Sequence, residues 1–548
     1  PPRSTLFPYT TLFRSNVNNR YDVLVVGAGM AGLTAACYLA KAGLRVLTCE
    51  RAGKPGGLVA DFTRHGIHFD AGLRAVENSG VIRPMLRDLG IEMEFLPNPV
   101  TIHMGDEVVR LEQGGLEQYA AMLTKLFPKN APDIKAIQGE IRQVMRIMDV
   151  LYGIDNPLFL DMKSNPEYLL KTILPWLLRY QVNMRKVKRF RRPIEQYLSA
   201  LTGNKALIDM IAQHFFRNTP AFFALSYFGL YMDYMYPKGG TGSLVRAMVD
   251  FLRTQGGEIE CNTEIMSLDP QAHAATAADG RTMRYDKLVW AADMKSLYRA
   301  AGKLPDAGHS YRMQVEQVAK GRGGDSVLTV FLELDLDTQM VSQAFGAHCF
   351  YTPAIEGLSS LGLNSWAAHA NDTNGDDRRK ALEGWLFRYF TLTTYEVSCP
   401  AVRDTALAPK GRIGLIVSTL FNVDLVRIIH QSGWYLEFKE LCVRQILAQL
   451  EKALPGIGDN LLDSFCATPL TIEKFTGNAD GAITGWSFCG DVPVESRFQK
   501  IANSVHTLVP HVYQAGQWTF NPSGLPVSVL TGKLAADAVR KEITRAKS

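Results

Sequence analysis

No uninterrupted apolar run in this 548-residue chain reaches the roughly 18–20 residues that a membrane-spanning helix needs, so any membrane contact is expected to be peripheral. The eight cysteines, Cys37, Cys49, Cys261, Cys349, Cys399, Cys442, Cys466 and Cys489, include no C-x-x-C pair and no paired ligand spacing. That leaves no basis for a structural metal and points to a reduced, cytoplasmic protein. Net charge is scarce too. A formal +5 is small for this length and gives no reason to expect a nucleic-acid partner. Only one G-x-G-x-x-G follows a strand pattern, so a separate nicotinamide-binding domain has no sequence support.

What is present is enough apolar content for more than one core, and a chain this long predicts at least two lobes. The stretch Thr5-Leu6-Phe7-Pro8-Tyr9-Thr10-Thr11-Leu12-Phe13-Arg14-Ser15 resembles the translation of a sequencing-library adapter. Residues 1–15 are therefore set aside as an assembly scar.

The informative sequence opens at Tyr21. Tyr21-Asp22-Val23-Leu24-Val25-Val26 is a short β-branched run of the kind that forms a buried parallel strand. It leads into Gly27-Ala28-Gly29-Met30-Ala31-Gly32. Leu33, Ala36, Cys37, Leu39 and Ala40 then recur at helical spacing until Gly43, and Arg45-Val46-Leu47-Thr48-Cys49 reads as the next strand. In such a βαβ unit Gly27 makes the tight turn, Gly29 lets a pyrophosphate approach the backbone, and Gly32 lets the helix pack on the strand. The phosphate sits where free amides and the helix dipole favour an anion. Glu50 closes the second strand at the spacing that suits a ribose-binding carboxylate, with Arg51 beside it, and an acid there disfavours a 2′-phosphate.

Gly56-Gly57, and then Gly66-Ile67-His68-Phe69-Asp70-Ala71-Gly72, carry a resemblance to the phytoene desaturase, carotenoid isomerase and retinol saturase group of flavoproteins. The resemblance implies FAD rather than NAD, with the glycine pair near the ribityl and phosphate region. This chain has Lys54 where the group commonly has Arg. Tyr236 to Ser243, followed by strands near Glu258–Cys261, Glu264-Ile265 and Lys287–Asp293, resembles the block that returns to the FAD lobe, with Ile265 near the adenine. Val512 to Thr519, with Gly516, and then Gly524-Leu525-Pro526 opening an apolar helix, resembles the closing motif at the flavin. A helix N-terminus there would stabilise negative charge on the ring.

The implied fold is α/β: a Rossmann-like FAD-binding domain of the glutathione-reductase and amine-oxidase type, made of 16–100, 236–295 and 481–548. It is interleaved with an α+β substrate domain of 101–235 and 296–480. In the latter, Ala221 to Met232 is apolar on every face, suiting a core helix or the wall of a lipid tunnel. Leu169, Leu170, Ile173, Leu174, Trp176, Leu177 and Leu178 run into Arg179, Arg185, Lys186, Lys188, Arg189, Arg191 and Arg192. That pattern over 169–192 suits either a solvated charge run or the inner, anionic face of a membrane. Thr394–Pro400 and Leu407–Gly411 resemble a stretch of the saturases and isomerases without naming a catalytic residue.

The expected activity is hydride transfer at a C–C bond of a lipophilic polyene or isoprenoid, with FAD carrying the hard step. Tyr395, His214 and His506 are candidate proton donors, though a structural role suits each better. A cis–trans isomerase using reduced FAD, a flavin amine oxidase and a non-enzymatic prenyl-lipid carrier remain open as alternatives. Substrate identity, reaction direction and electron partner are left open.

Overall fold

The structure is a computed structural model and describes residues 20–547 apart from 78–79, 113, 161–165, 305–307, 363–365 and 368–374. The adapter-like residues 1–15 lie outside the described residues.

Strand β1 (Arg20–Val26), helix α1 (Met30–Lys41) and strand β2 (Val46–Cys49) form the βαβ unit that the glycines predict. The reason for the unbroken apolar run in β1 is visible in its packing, because the strand is covered on both faces. Val23 and Val25 enter a core shared with α1, Gly242–Thr254 and the closing helix Leu525–Lys547. Leu24 and Val26 enter the core on the other side, with Leu47, Trp290 and Trp518. Alternation along the strand thus divides one apolar run between two cores.

In this seven-stranded sheet the order is Ile265–Asp269, Ala274–Ala277, Thr282–Trp290, β1, β2, Glu258–Glu260. Val512–Gln514 adds in parallel to the end of Thr282–Trp290. Strands from three separate stretches of sequence therefore meet in one sheet. The short strand Ala274–Ala277, which no motif marks, joins its neighbours antiparallel on both sides.

A second seven-stranded sheet runs in the order Leu461–Ala467, Ser326–Leu334, Ile413–Phe421, Tyr395–Ser398, His348–Thr352, Val100–Met104, Glu107–Arg110. It is antiparallel except where His348–Thr352 lies parallel to Val100–Met104. Helices Gly375–Leu392 and Tyr435–Ala453 contribute to the core on one face. A helical cluster including Ala131–Tyr152 and Ala221–Leu230 packs beside Val100, Ile102 and Met104.

The hairpin Asp61–Arg64 and Ile67–Asp70 joins the two sheets. Its Phe62 and Phe69 stack at 5.3 Å and interleave with Phe331 and Phe465 of the second sheet. No described helix is long and apolar enough to cross a membrane.

Candidate active site

The turn after β1 is built from backbone. Gly27 has a φ of +98°, a left-handed conformation that L side chains rarely adopt. A Cβ on Gly32 would overlap the Gly27 carbonyl oxygen, so the first turn of α1 lies directly against the turn that precedes it. At Gly29 a Cβ would meet nothing within 4 Å, leaving open space beside the helix N-terminus. Helix geometry denies an intrahelical acceptor to the amides of Met30, Ala31 and Gly32, and the first turn holds no acid. An anionic diphosphate fits that combination.

Several of the other site residues gather around this turn. Gly56 donates its amide to the Ala28 carbonyl at 2.9 Å, and a Cβ on Gly57 would come within 3.5 Å of Gly29 Cα. Glu50 accepts from the Ala28 amide at 2.7 Å and from the Ala52 amide at 2.8 Å. These bonds aim its carboxylate at the turn while leaving lone pairs for hydroxyl donors. Gly516, at φ +101°, donates to Thr531 Oγ1 at 2.9 Å and lies against Ala31. Gly524 caps the closing helix, accepting from the Ser528 amide at 2.9 Å, and Leu525 and Pro526 form its first turn. A Cβ on Gly532, one turn beyond Ser528, would overlap the Ala31 carbonyl oxygen, so the closing helix lies close against α1 there.

Two of the predicted residues are engaged elsewhere. Arg51 donates to the Lys474 carbonyl and pairs with Glu264 at 3.7 Å, both partly at the surface. Ile265 is buried with Leu47 and Cys49, two residues beyond Thr263, whose amide donates to the Glu50 carbonyl. Lys54 donates to the Asp61 carbonyl.

From Gly57 the chain leads to a second feature. A Cβ on Gly72 would overlap the Leu58 carbonyl oxygen and the Leu73 amide donates to that oxygen at 2.9 Å, so the segment Gly72–Ala75 packs at its start against the residue that follows the glycine pair. Its other side, with Leu73, Arg74 and Ala75, lines a cavity of about 260 Å³. Strands of the second sheet supply one wall through His348, Phe350, Thr394, Glu396, Ser418 and Thr419. Aromatic residues of the segment around Ala221–Leu230 supply another. Phe223, Tyr227 and Tyr231 face the cavity while Ala224, Leu225 and Phe228 pack into the core, so the helix is both core and wall.

Charges beneath this cavity are paired closely. Asp70 is fully buried and accepts from Tyr236 at 2.8 Å and from the Thr241 amide and hydroxyl at 3.0 and 2.8 Å. Burial pushes its carboxyl up, but His68, Arg403 and the Thr241 amide outweigh that and hold it below the usual carboxylate range. The glycines of Gly239-Gly240-Thr241-Gly242 serve this packing: a Cβ on Gly240 would overlap His68, and one on Gly242 would overlap Asp61. Arg403 lies over the Tyr236 ring at 4.4 Å and donates to Asn98 and Ser398. Arg74 donates to the Asp70 carbonyl. His348 Nε2 lies 2.9 Å from Glu396 Oε1. Burial pushes the His348 imidazole down, and it also pushes the Glu396 carboxyl up, where His348, Arg74 and Arg403 more than reverse it.

The three candidate proton donors part company here. Tyr395 is fully buried and donates to the Phe390 carbonyl, a structural role. His506 is exposed beside Tyr513, away from the cavity lining. His214 lines the cavity with its Nε2 3.2 Å from the Tyr231 hydroxyl, and burial pushes its pKa down to about 3. Sequence reasoning missed Glu396, His348, Arg74 and Arg403. One signal was available: Tyr395 and Val397 face the core, so a charged Glu396 between them must face the opposite side.

The flavin-containing amine oxidoreductase family matches this chain over residues 30–373. Similar curated proteins include a chloroplastic prolycopene isomerase of Daucus carota, 22% identical over 85% of this chain and 72% of its own length. An all-trans-retinol 13,14-reductase of Danio rerio is 22% identical over 92% of this chain and 83% of its length. A lycopene-forming phytoene desaturase of Pseudescherichia vulneris is 26% identical over 95% and 99%. Among solved structures, cyclohexylamine oxidase from Brevibacterium oxydans IH-35A superposes with a TM-score of 0.56 at 14% identity, covering 96% of this chain and 99% of that one. The three curated relatives are of the group that the glycine motifs resemble, and the cofactor is FAD, to which the open helix N-terminus and the Gly29–Gly57 cradle are fitted.

Proposed function

The chain belongs to the flavin-containing amine oxidoreductase family, and from that premise we propose that it adds hydrogen to, or removes hydrogen from, a C–C bond of a lipophilic polyene or isoprenoid. FAD supplies hydride transfer in such chemistry. The residues of this chain supply the rest. Gly27–Gly32, Glu50 and Gly56-Gly57 hold the nucleotide end, and Gly72–Ala75 separates that cradle from the cavity. Phe223, Tyr227, Tyr231 and Phe350 give an apolar ligand a water-poor seat, which suits a chain whose charge delocalises along conjugated carbons.

The observation that carries this reading is the aromatic cavity lined by Gly72, which packs on Leu58 next to the glycine pair, and the names of the relatives support it. The test is anaerobic mixing of the FAD-loaded protein with polyenes. Bleaching of the flavin absorbance with a product two hydrogens lighter supports desaturation, and re-oxidation of the reduced protein with a product two hydrogens heavier supports saturation. A product of unchanged mass formed only by reduced protein would replace the reading with isomerisation. Purified protein without flavin absorbance would favour a carrier.

A second reading has its own observation. Aromatic walls beside the carboxylate of Glu396 would also seat an ammonium group. Peroxide release with amines, and none with polyenes, would favour amine oxidation.

We also propose that 169–192 rests on an anionic membrane surface. Helix Leu174–Val187 buries none of its residues, and Leu170 and Leu178 are 64% and 71% exposed beside exposed Arg185, Lys186, Arg191 and Arg192. Each cation adds about 1 kcal/mol at such a surface. Sedimentation with anionic but not neutral vesicles, weakened by Leu174→Ser with Leu178→Ser, is the expected result. Equal sedimentation with both vesicle types would sink the idea.

A further inference from the structure

We propose that Glu396 is the proton acceptor and donor of the C–C reaction, with His348 as the residue that positions it; this rests on the reading under Proposed function. Glu396 is the only carboxylate among the described residues lining the cavity. Its Oε1 is bound to His348 Nε2 at 2.9 Å, while its Oε2 has no hydrogen-bond partner among the described residues. About a third of its side chain is open, at 33%, and it lines the cavity; the His348 side chain is 2% exposed. The carboxylate thus presents one anchored oxygen to the protein and one free oxygen to a ligand.

His348 is held by its bond to Glu396 and by stacking on Tyr234 at 5.9 Å with an interplanar angle of 10°; its buried Nδ1 has no partner among the described residues. With burial disfavouring the imidazolium, the ring is neutral and donates from Nε2 to Glu396. The other titratable groups of the lining serve less well. Burial keeps His214 neutral and bound to Tyr231, and burial raises the hydroxyls of Tyr227, Tyr231 and Tyr234. The hydrogen bond from His348 and the positive charges of Arg74 and Arg403 more than offset burial, so the carboxylate keeps its charge.

The step balances as follows. In desaturation one carbon loses hydrogen with its electron pair as hydride to oxidised FAD. The neighbouring carbon loses a proton to Glu396 Oε2, and the electron pair of that C–H bond becomes the new π bond. Saturation runs the same steps backwards: hydride from reduced FAD enters one carbon and the Glu396 proton enters the other. In both directions the carboxyl group exchanges its proton with solvent between turnovers.

The test compares wild-type holoenzyme with Glu396→Gln, Glu396→Ala and His348→Asn. Glu396→Gln should keep its flavin absorbance and bind polyene within about threefold of wild type, yet lose a hundredfold or more in flavin reduction. Formate should restore part of the rate to Glu396→Ala. In His348→Asn the acid limb of the rate profile should move to higher pH, because the carboxylate loses one neighbour that stabilises its charged form while Arg74 and Arg403 remain. A readout independent of turnover is the ratio of affinities for a polyene bearing a trimethylammonium group and a neutral polyene of equal length. That ratio should fall about tenfold in Glu396→Gln. If wild type is reduced by polyene and Glu396→Gln keeps its rate, or if the affinity ratio does not change, Glu396 is not the proton carrier. If no polyene either reduces the oxidised wild type or re-oxidises the reduced wild type, the C–C reading falls and this assignment with it.

Discussion

The nucleotide cradle and the cavity lie on the two sides of one short segment, Gly72–Ala75, and they are made by opposite means. The cradle is mostly backbone. Its working parts are a left-handed Gly27, a helix start with open amides and glycines that a single Cβ would block, nearly all within residues 27–57. The cavity is mostly side chain. Its walls come from four strands of the second sheet, one aromatic helix and Gly72–Ala75, spread over more than three hundred residues of sequence. A site of backbone must keep particular small residues at particular spacings, whereas a site of side chains can be reassembled with other residues. The first kind recurs across a family, and the second sets what each member acts on.

The contrast can be broken at either end. The largest effect is expected from Gly32→Val, which would force a branched side chain into the Gly27 carbonyl. Purified protein should be colourless and its thermal midpoint sharply lowered; a variant that stays yellow would show the cradle to be less dependent on backbone than argued. Next comes Arg403→Met, which removes one of the two arginines that hold Asp70 charged at full burial and leaves Arg74. A loss of about 1–3 kcal/mol in urea unfolding at neutral pH is expected. Because the folded Asp70 carboxyl is held below its ordinary pKa, its contribution in wild type is complete above the ordinary carboxylate range and fades as pH falls through the lower folded value. Wild type and variant should therefore converge in acid, and a gap independent of pH would remove Asp70 from the explanation.

A smaller and more selective effect is expected from Ala75→Phe, which puts a ring into the cavity from the segment that divides the two sites. Flavin absorbance should persist while polyene binding weakens tenfold or more. Loss of both together would mean that the division is not real. The smallest is His506→Asn, exposed and outside the cavity lining, which should leave flavin content and polyene affinity unchanged.

Legibility follows the same division. Strand β1, helix α1 and β2 could be read from the sequence because burial on two faces demands a continuous apolar run and the turn demands glycine. The two later returns to the first sheet were legible for similar reasons at Lys287–Trp290 and Val512–Gln514. Ala274–Ala277 was not, since four small residues carry no strong period. In the cavity, the helix Ala221–Leu230 announced itself by composition. Glu396 and His348 did not, because what joins them is the antiparallel register of two strands, His348 opposite Ser398, which no local pattern records. Tyr395 drew attention as a titratable group, yet its neighbour does the facing.

The aromatic interleaving of Phe62, Phe69, Phe331 and Phe465 has a mechanical meaning. The hairpin is riveted by these rings onto strands of the second sheet. The molecule is thus expected to behave as one casting rather than as a pair of jaws. Guests must then slip in lengthwise past side chains that step aside, a mode of entry suited to long, thin, oily molecules. Spin labels at exposed Gln271 and Glu437 should accordingly report one separation with and without ligand, and two separations would unseat the rivet.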